Sequence, residues 1–234
     1  GMERVIAQSG LARSLKTLPK PAQVLAPKPV EGSDPDEAMS DVAYDKGAWF
    51  LGFLESRVGR EDFDAFLRGY FDHFAFQSID TGQFVAWLRE HLLAAHPGAV
   101  TDKELEAWLY QPGVPASAVP ASSVRFATVD AALKAWQSGR VAAADIDTAG
   151  WVTQEWLRFL EGMPVKLSND RLVELDTAFG FTGSNNGEIL MRWFPLTVRS
   201  GYFEARPAMA EFLQRVGRRK LILPIYSALA ASRE

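Results

Sequence analysis

Residues 41–58 read "DVAYDKGAWFLGFLESRV". From Tyr44 onward the apolar residues fall at helical steps. Trp49, Phe50, Phe53, Leu54 and Val58 recur every three or four residues, which places them on one helix face. Gly59 then offers a stop. No period-two alternation competes with this pattern, so the stretch predicts an amphipathic helix. A phenol and a small charged cluster, Tyr44, Asp45, Lys46 and Gly47, stand at its start.

Similar stripes extend in both directions. Met2–Leu15 predicts a short helix. It runs into residues 15–36, "LKTLPKPAQVLAPKPVEGSDPD", whose five prolines predict an extended connector. After Gly59 the acids Glu61 and Asp62 open a helix carrying Phe63, Phe66, Leu67, Tyr70, Phe71 and Phe74. Another runs from Thr81 through Phe84, Leu88 and Leu92 to Pro97. Thr101 and Glu104 have capping-box spacing ahead of Leu105, Trp108 and Leu109. "YQPGVPASAVPASS", residues 110–123, then breaks the pattern and marks a domain boundary. Beyond it come stripes containing Phe126 to Trp136, Trp156 to Leu160, Leu172 to Phe179, Ile189 to Phe194, Met209 to Val216 and Leu221 to Ala231. Thr153 and Ser168 are read as helix openers, and Gly180 as a stop. "KLILPIY" looks most like a strand, but Pro224 argues against a central one. The fold class read from this succession is all-α, a helical bundle followed by a stack of helix pairs.

Composition narrows the function. An apolar fraction of 47% in 234 residues suffices for one large domain or two ordinary ones. The net charge of −4 gives no general electrostatic reason to bind nucleic acid or an anionic membrane surface. The absence of cysteine removes thiolate catalysis and thiolate metal ligation. No run of 18 apolar residues predicts a transmembrane helix.

Few residues carry recognisable chemistry. The three histidines, His73, His91 and His96, form no H-E-x-x-H, and His91 and His96 are five apart, so they do not share a helix face. No metal site is read from them. Glycine-rich "GFTGSNNG", residues 180–187, follows a helix and not a strand, and reads as a turn. Two clusters remain. Tyr44 either packs at a helix start or donates its hydroxyl to an oxyanion. Arg215, Arg218, Arg219 and Lys220 in "VGRRK" and its flank either decorate a solvated helix end or clamp a carboxylate. Spacing alone leaves both readings open.

Four blocks in order are similar to a known family. "DPDEAMSDVAYDKGAWFLGFLESRVG", "FDAFLRGYFDHFAFQSIDTGQFVAWL" with "LEAWLYQPGVP", "NNGEILMRWFPLTVRSGYF" and "VGRRKLILPIYSALAA" resemble the zinc aminopeptidases of the leukotriene A hydrolase and aminopeptidase B branch. The resemblance spans about Asp34 to Ala231. It implies that residues 1–111 are the helical rear of a thermolysin-like catalytic domain, 112–123 a linker, and 124–234 an armadillo-like α-superhelix.

It also implies roles. Tyr44 matches the tyrosine that stabilises the tetrahedral intermediate when zinc-activated water attacks a peptide bond. Arg218 and Lys220 match the pair that holds the substrate's carboxylate. Asp36 matches an acid that positions polar substrate groups. The zinc-binding helix of the family would lie N-terminal to everything here, and Met39 stands where that branch has a second tyrosine. The expectation is therefore part of a cytoplasmic zinc aminopeptidase, inactive alone. It has no cofactor of its own, and zinc belongs to the complete enzyme. Its partners would be a peptide substrate and the remaining catalytic segment. The rival expectation is a stand-alone helical scaffold that binds a peptide or protein.

Overall fold

A computed structural model describes residues 1–27 and 40–232. The described residues divide into two units, one covering Glu3–Ser122 and a second beginning at Ser123. Both are helical, and no strand occurs among the described residues. None of the helices described is long and apolar enough to cross a membrane.

The first unit contains α1 (Met2–Ser14), α2 (Asp41–Val58), α3 (Arg60–His73), α4 (Thr81–Leu88) and α5 (Asp102–Tyr110). Helix α2 starts three residues earlier than its apolar stripe suggests. The Ser40 side chain accepts from the Val42 N–H at 3.3 Å and so caps the helix from outside that stripe. Gly59 ends it with φ of +90°, a conformation side chains resist. At α5 the box is formed as its spacing requires: Thr101 Oγ1 accepts from Glu104 N, and Glu104 accepts from Thr101 N. These bonds hold the Glu104 carboxyl below its ordinary range. Helix α4 continues into a π-helical turn, Arg89–Leu93.

The core of this unit is aromatic. Trp108 of α5 is fully buried, with Phe50 and Phe53 of α2 at 5.7 and 5.5 Å between ring centres. Leu54, Phe63, Phe66, Leu88 and Leu92 complete the contact between α2, α3 and α4. The proline-rich segment is partly organised. Gln23 donates to the carbonyls of Leu15 and Leu18, and Ala26 N–H donates to Leu109 O at the end of α5. Residues beyond Tyr110 also lie on this unit, because Val119 O accepts from the Trp49 indole and Ala121 N–H donates to Gln8.

The second unit contains α6 (Val124–Gln137), α7 (Thr153–Glu161), α8 (Asn169–Phe179), α9 (Gly187–Ser200), α10 (Arg206–Arg215) and α11 (Arg219–Ser232). Helix α9 supplies the central strip, with Ile189, Leu190, Trp193, Phe194 and Leu196 buried. The "KLILPIY" segment is helical, and Pro224 sits inside α11. Two predicted openers act differently from expectation. Ser168 stands at the cap position of α8 without a side-chain cap bond. Thr153 is the first residue of α7, and the buried Glu155 carboxylate accepts from Val152 N–H at 2.9 Å. Arg125 pairs with that carboxylate and holds its proton affinity down.

Replacing Trp108 with alanine removes the ring shared by α2 and α5. The first unit should lose about 3–5 kcal/mol. Urea unfolding followed by circular dichroism checks this, and a loss below about 1 kcal/mol would place the main stabilisation elsewhere.

Candidate functional site

The first turns of α2 separate three neighbouring polar residues by direction. Tyr44 and Lys46 are two positions apart, so they leave the helix on nearly opposite sides. Tyr44 points outward. Its side chain is 67% exposed, and its hydroxyl has no hydrogen-bond partner among the described residues. It borders an open cavity of about 530 Å³ walled by Leu25, Gly47, Tyr70, Ile79 and Phe84.

Lys46 points inward and is fully buried. It follows the stripe Val42, Lys46, Phe50, Phe53, all buried. Its ammonium donates to Gln111 O at 2.7 Å and Gln23 O at 3.0 Å. Those carbonyls lie just beyond α5 and at the end of the short turn Lys20–Gln23. Burial pushes the Lys46 ammonium down to about 8. Asp45 faces α1. A Cβ placed on Gly10 would come within 3.2 Å of its carboxylate, so glycine there permits the close approach. Burial, then the charge of Asp41, raises the Asp45 carboxyl above its ordinary range.

The basic cluster lies in the second unit. Arg215 ends α10 and pairs with Glu211 at 3.5 Å. Arg218 carries the carbonyl that accepts from Leu221 and Ile222 N–H, and thus begins α11. Arg219 and Lys220 are its first two residues. The solvated C-terminal end considered from sequence therefore applies to Arg215 alone. The other three cations stand at a helix N-terminus, where the dipole disfavours positive charge. Lys220 is compensated by Glu188 of α9 at 2.7 Å. Arg218 is exposed, and its guanidinium has no partner among the described residues. Asp36 and Met39 lie outside the described residues.

The remaining polar candidates are structural. His73 and His91 each pack on Trp87, with ring centres at 4.4 and 3.6 Å, and His96 meets Asp62 at 3.1 Å. Among the described residues no group of three or more His, Asp or Glu could hold a metal ion. The glycine-rich segment is a turn. Asp176 accepts both the N–H and the hydroxyl of Thr182, at 2.8 and 2.6 Å, and also the Tyr202 hydroxyl. A carboxylate in that position repels a phosphate.

Comparison with known proteins shows what the chain is similar to. Residues 151–234 match the family described as "Leukotriene A4 hydrolase, C-terminal", and residues 5–107 match the "Peptidase family M1 domain". The chain belongs to the leukotriene A4 hydrolase-like M1 peptidases. It is 30% identical to leucine aminopeptidase 2 of Yarrowia lipolytica, over 96% of this chain and 38% of that protein. It is 28% identical to a leukotriene A-4 hydrolase homolog of Botryotinia fuckeliana, over 86% of this chain and 32% of that protein. The structure of native leukotriene A4 hydrolase from Saccharomyces cerevisiae superposes with a TM-score of 0.76 at 25% identity, covering 98% of this chain and 41% of that one. The chain thus spans about 38% of the Yarrowia relative. M1 peptidases are zinc enzymes, and the residues described here do not make up a zinc site.

The buried lysine sets a pH dependence. In the unfolded chain it holds its proton up to its ordinary 10.5, and in the folded chain only to about 8. Between those values the unfolded state binds more protons, so rising pH favours folding. The stability of the native chain minus that of Lys46→Met should be flat below about pH 8 and increase towards pH 10.5. Denaturant titrations at several pH values check this, and a flat difference throughout would show that Lys46 keeps its charge.

Proposed function

We propose that this chain is the helical part of a cytoplasmic M1 aminopeptidase. Tyr44 serves peptide-bond cleavage, and Arg218 with Lys220 binds a substrate carboxylate. The observation that carries the reading is the state of Tyr44. Its phenol stands in the open, with no hydrogen-bond partner for its hydroxyl among the described residues, on a helix whose next inward residue is anchored. A hydroxyl so placed can donate to the oxygen that becomes negative as a peptide carbonyl turns tetrahedral. Such donation strengthens as charge develops, and it therefore lowers the barrier more than it tightens substrate binding.

The basic turn suits a carboxylate. Arg218 offers paired N–H donors to a carboxylate. The first N–H groups of α11 and its dipole add to the same field. Glu188 holds Lys220 in place while leaving the Arg218 guanidinium available. Asp36 completes the proposed set as a residue for polar substrate groups. Zinc in the complete enzyme is held by polypeptide other than this chain, which alone should turn over no peptide.

Two experiments test these roles. In the complete peptidase, Tyr44→Phe should lower kcat by about 10²–10³-fold with little change in KM. An unchanged kcat removes Tyr44 from the chemistry. For the basic turn, a short peptide with a free C-terminal carboxylate should shift the amide resonances of Arg219, Lys220 and Leu221 in the isolated chain. The amidated peptide should not, and Arg218→Ala should weaken binding by about tenfold or more. Equal shifts from both peptides would contradict a carboxylate site.

A further inference from the structure

We infer that Lys46 is the positioning residue for Tyr44, acting through the segment it holds against α2. The proposal rests on the role given to Tyr44 above, but its geometry is independent of that role. Lys46 is fully buried and joins three separate pieces of chain through one ammonium: its own helix, the turn ending at Gln23, and the residue beyond α5. An ammonium removed from water needs such acceptors, since an unpaired buried charge costs several kcal/mol. Two carbonyls whose own helical elements have ended need donors in turn.

The consequence reaches Tyr44 in two steps. Two residues after Gln23 comes Leu25, which forms a wall of the cavity that Tyr44 borders. Leu25 stands beside Gly47, where an added Cβ would make an ordinary contact with its Cδ2 at 3.9 Å. Next, Ala26 N–H closes the segment onto Leu109 O at 2.9 Å. The segment is thus held at Gln23 by Lys46 and at Ala26 by α5, with Leu25 between. The same ammonium ties α2 to the residue that follows α5. A change at Lys46 therefore alters both the helix that carries Tyr44 and the wall beside it. The Tyr44 hydroxyl has no bond of its own to another described residue.

The test uses the chain labelled with 3-fluorotyrosine and read by fluorine NMR. It has five tyrosines, and Tyr44→Phe assigns the Tyr44 signal by its loss. Lys46→Met keeps the stem and removes the donors. It should shift and broaden the Tyr44 signal while leaving Tyr202 and Tyr226 unmoved and the helical circular dichroism intact. Lys46→Gln supplies a neutral donor and should bring the Tyr44 signal part of the way back. An unmoved Tyr44 signal in Lys46→Met would overturn the proposal. So would a displacement of the Trp87 indole resonance as large as that of Tyr44, since Trp87 packs on His73 and His91 and its movement would mean general loosening of the unit. The catalytic reading fails separately, through an unchanged kcat in Tyr44→Phe.

Discussion

One buried ammonium organises the surroundings of the candidate site. Lys46 sits in line with Val42, Phe50 and Phe53 on the inward face of α2, where an apolar side chain would ordinarily pack. It reaches the carbonyls of Gln23 and Gln111 instead. A leucine there could fill the volume but could satisfy neither carbonyl. The first unit thereby ties an irregular, proline-rich segment to a regular helical body without a strand or a disulfide. With Lys46 turned inward, Tyr44 is among the residues α2 presents to solvent.

Much of the fold was legible in the sequence because helices advertise themselves by spacing. Trp49, Phe50, Phe53 and Leu54 repeat at three and four, and the structure buries Phe50, Phe53 and Leu54. The Thr101–Glu104 box formed because its two partners are local. Ser168 and Thr153 show the limit of such readings, since a capping residue competes with whatever tertiary partners the turn finds. At α7 the Thr153 hydroxyl accepts from the Asn186 side chain 33 residues on, and the local cap bond is made by Glu155, held by Arg125 from a different helix. Pro224 weakened the strand reading of "KLILPIY" correctly, and α11 carries it inside a helix.

The candidate site was less legible. Tyr44 and Arg218 stood out through resemblance, not spacing, and their exposure could not be read from either. Lys46 was read only as part of a charged cluster, although Val42, Lys46 and Phe50 are spaced at four and pointed to a buried lysine. No local signal could name its acceptors, because Gln23 and Gln111 are 23 and 65 residues away. The pairing of Lys220 with Glu188, 32 residues apart, was hidden for the same reason. From sequence the basic turn was read either as a carboxylate clamp or as a solvated C-terminal helix end, whereas Arg218, Arg219 and Lys220 stand at the start of α11. That position makes Arg218 electrostatically unfavourable for stability.

The central claim is that Lys46 clamps the segment around Gln23 and Ala26 to the helical body beneath Tyr44. Native-state hydrogen exchange at the Ala26 amide, which donates to Leu109 O, addresses it most directly. With the clamp in place, Ala26 exchanges only when the first unit opens, at a rate close to that of core amides in α2. In Lys46→Met the Ala26 amide should exchange faster while the α2 amides remain protected, and an Ala26 rate equal to that of the native chain would contradict the account.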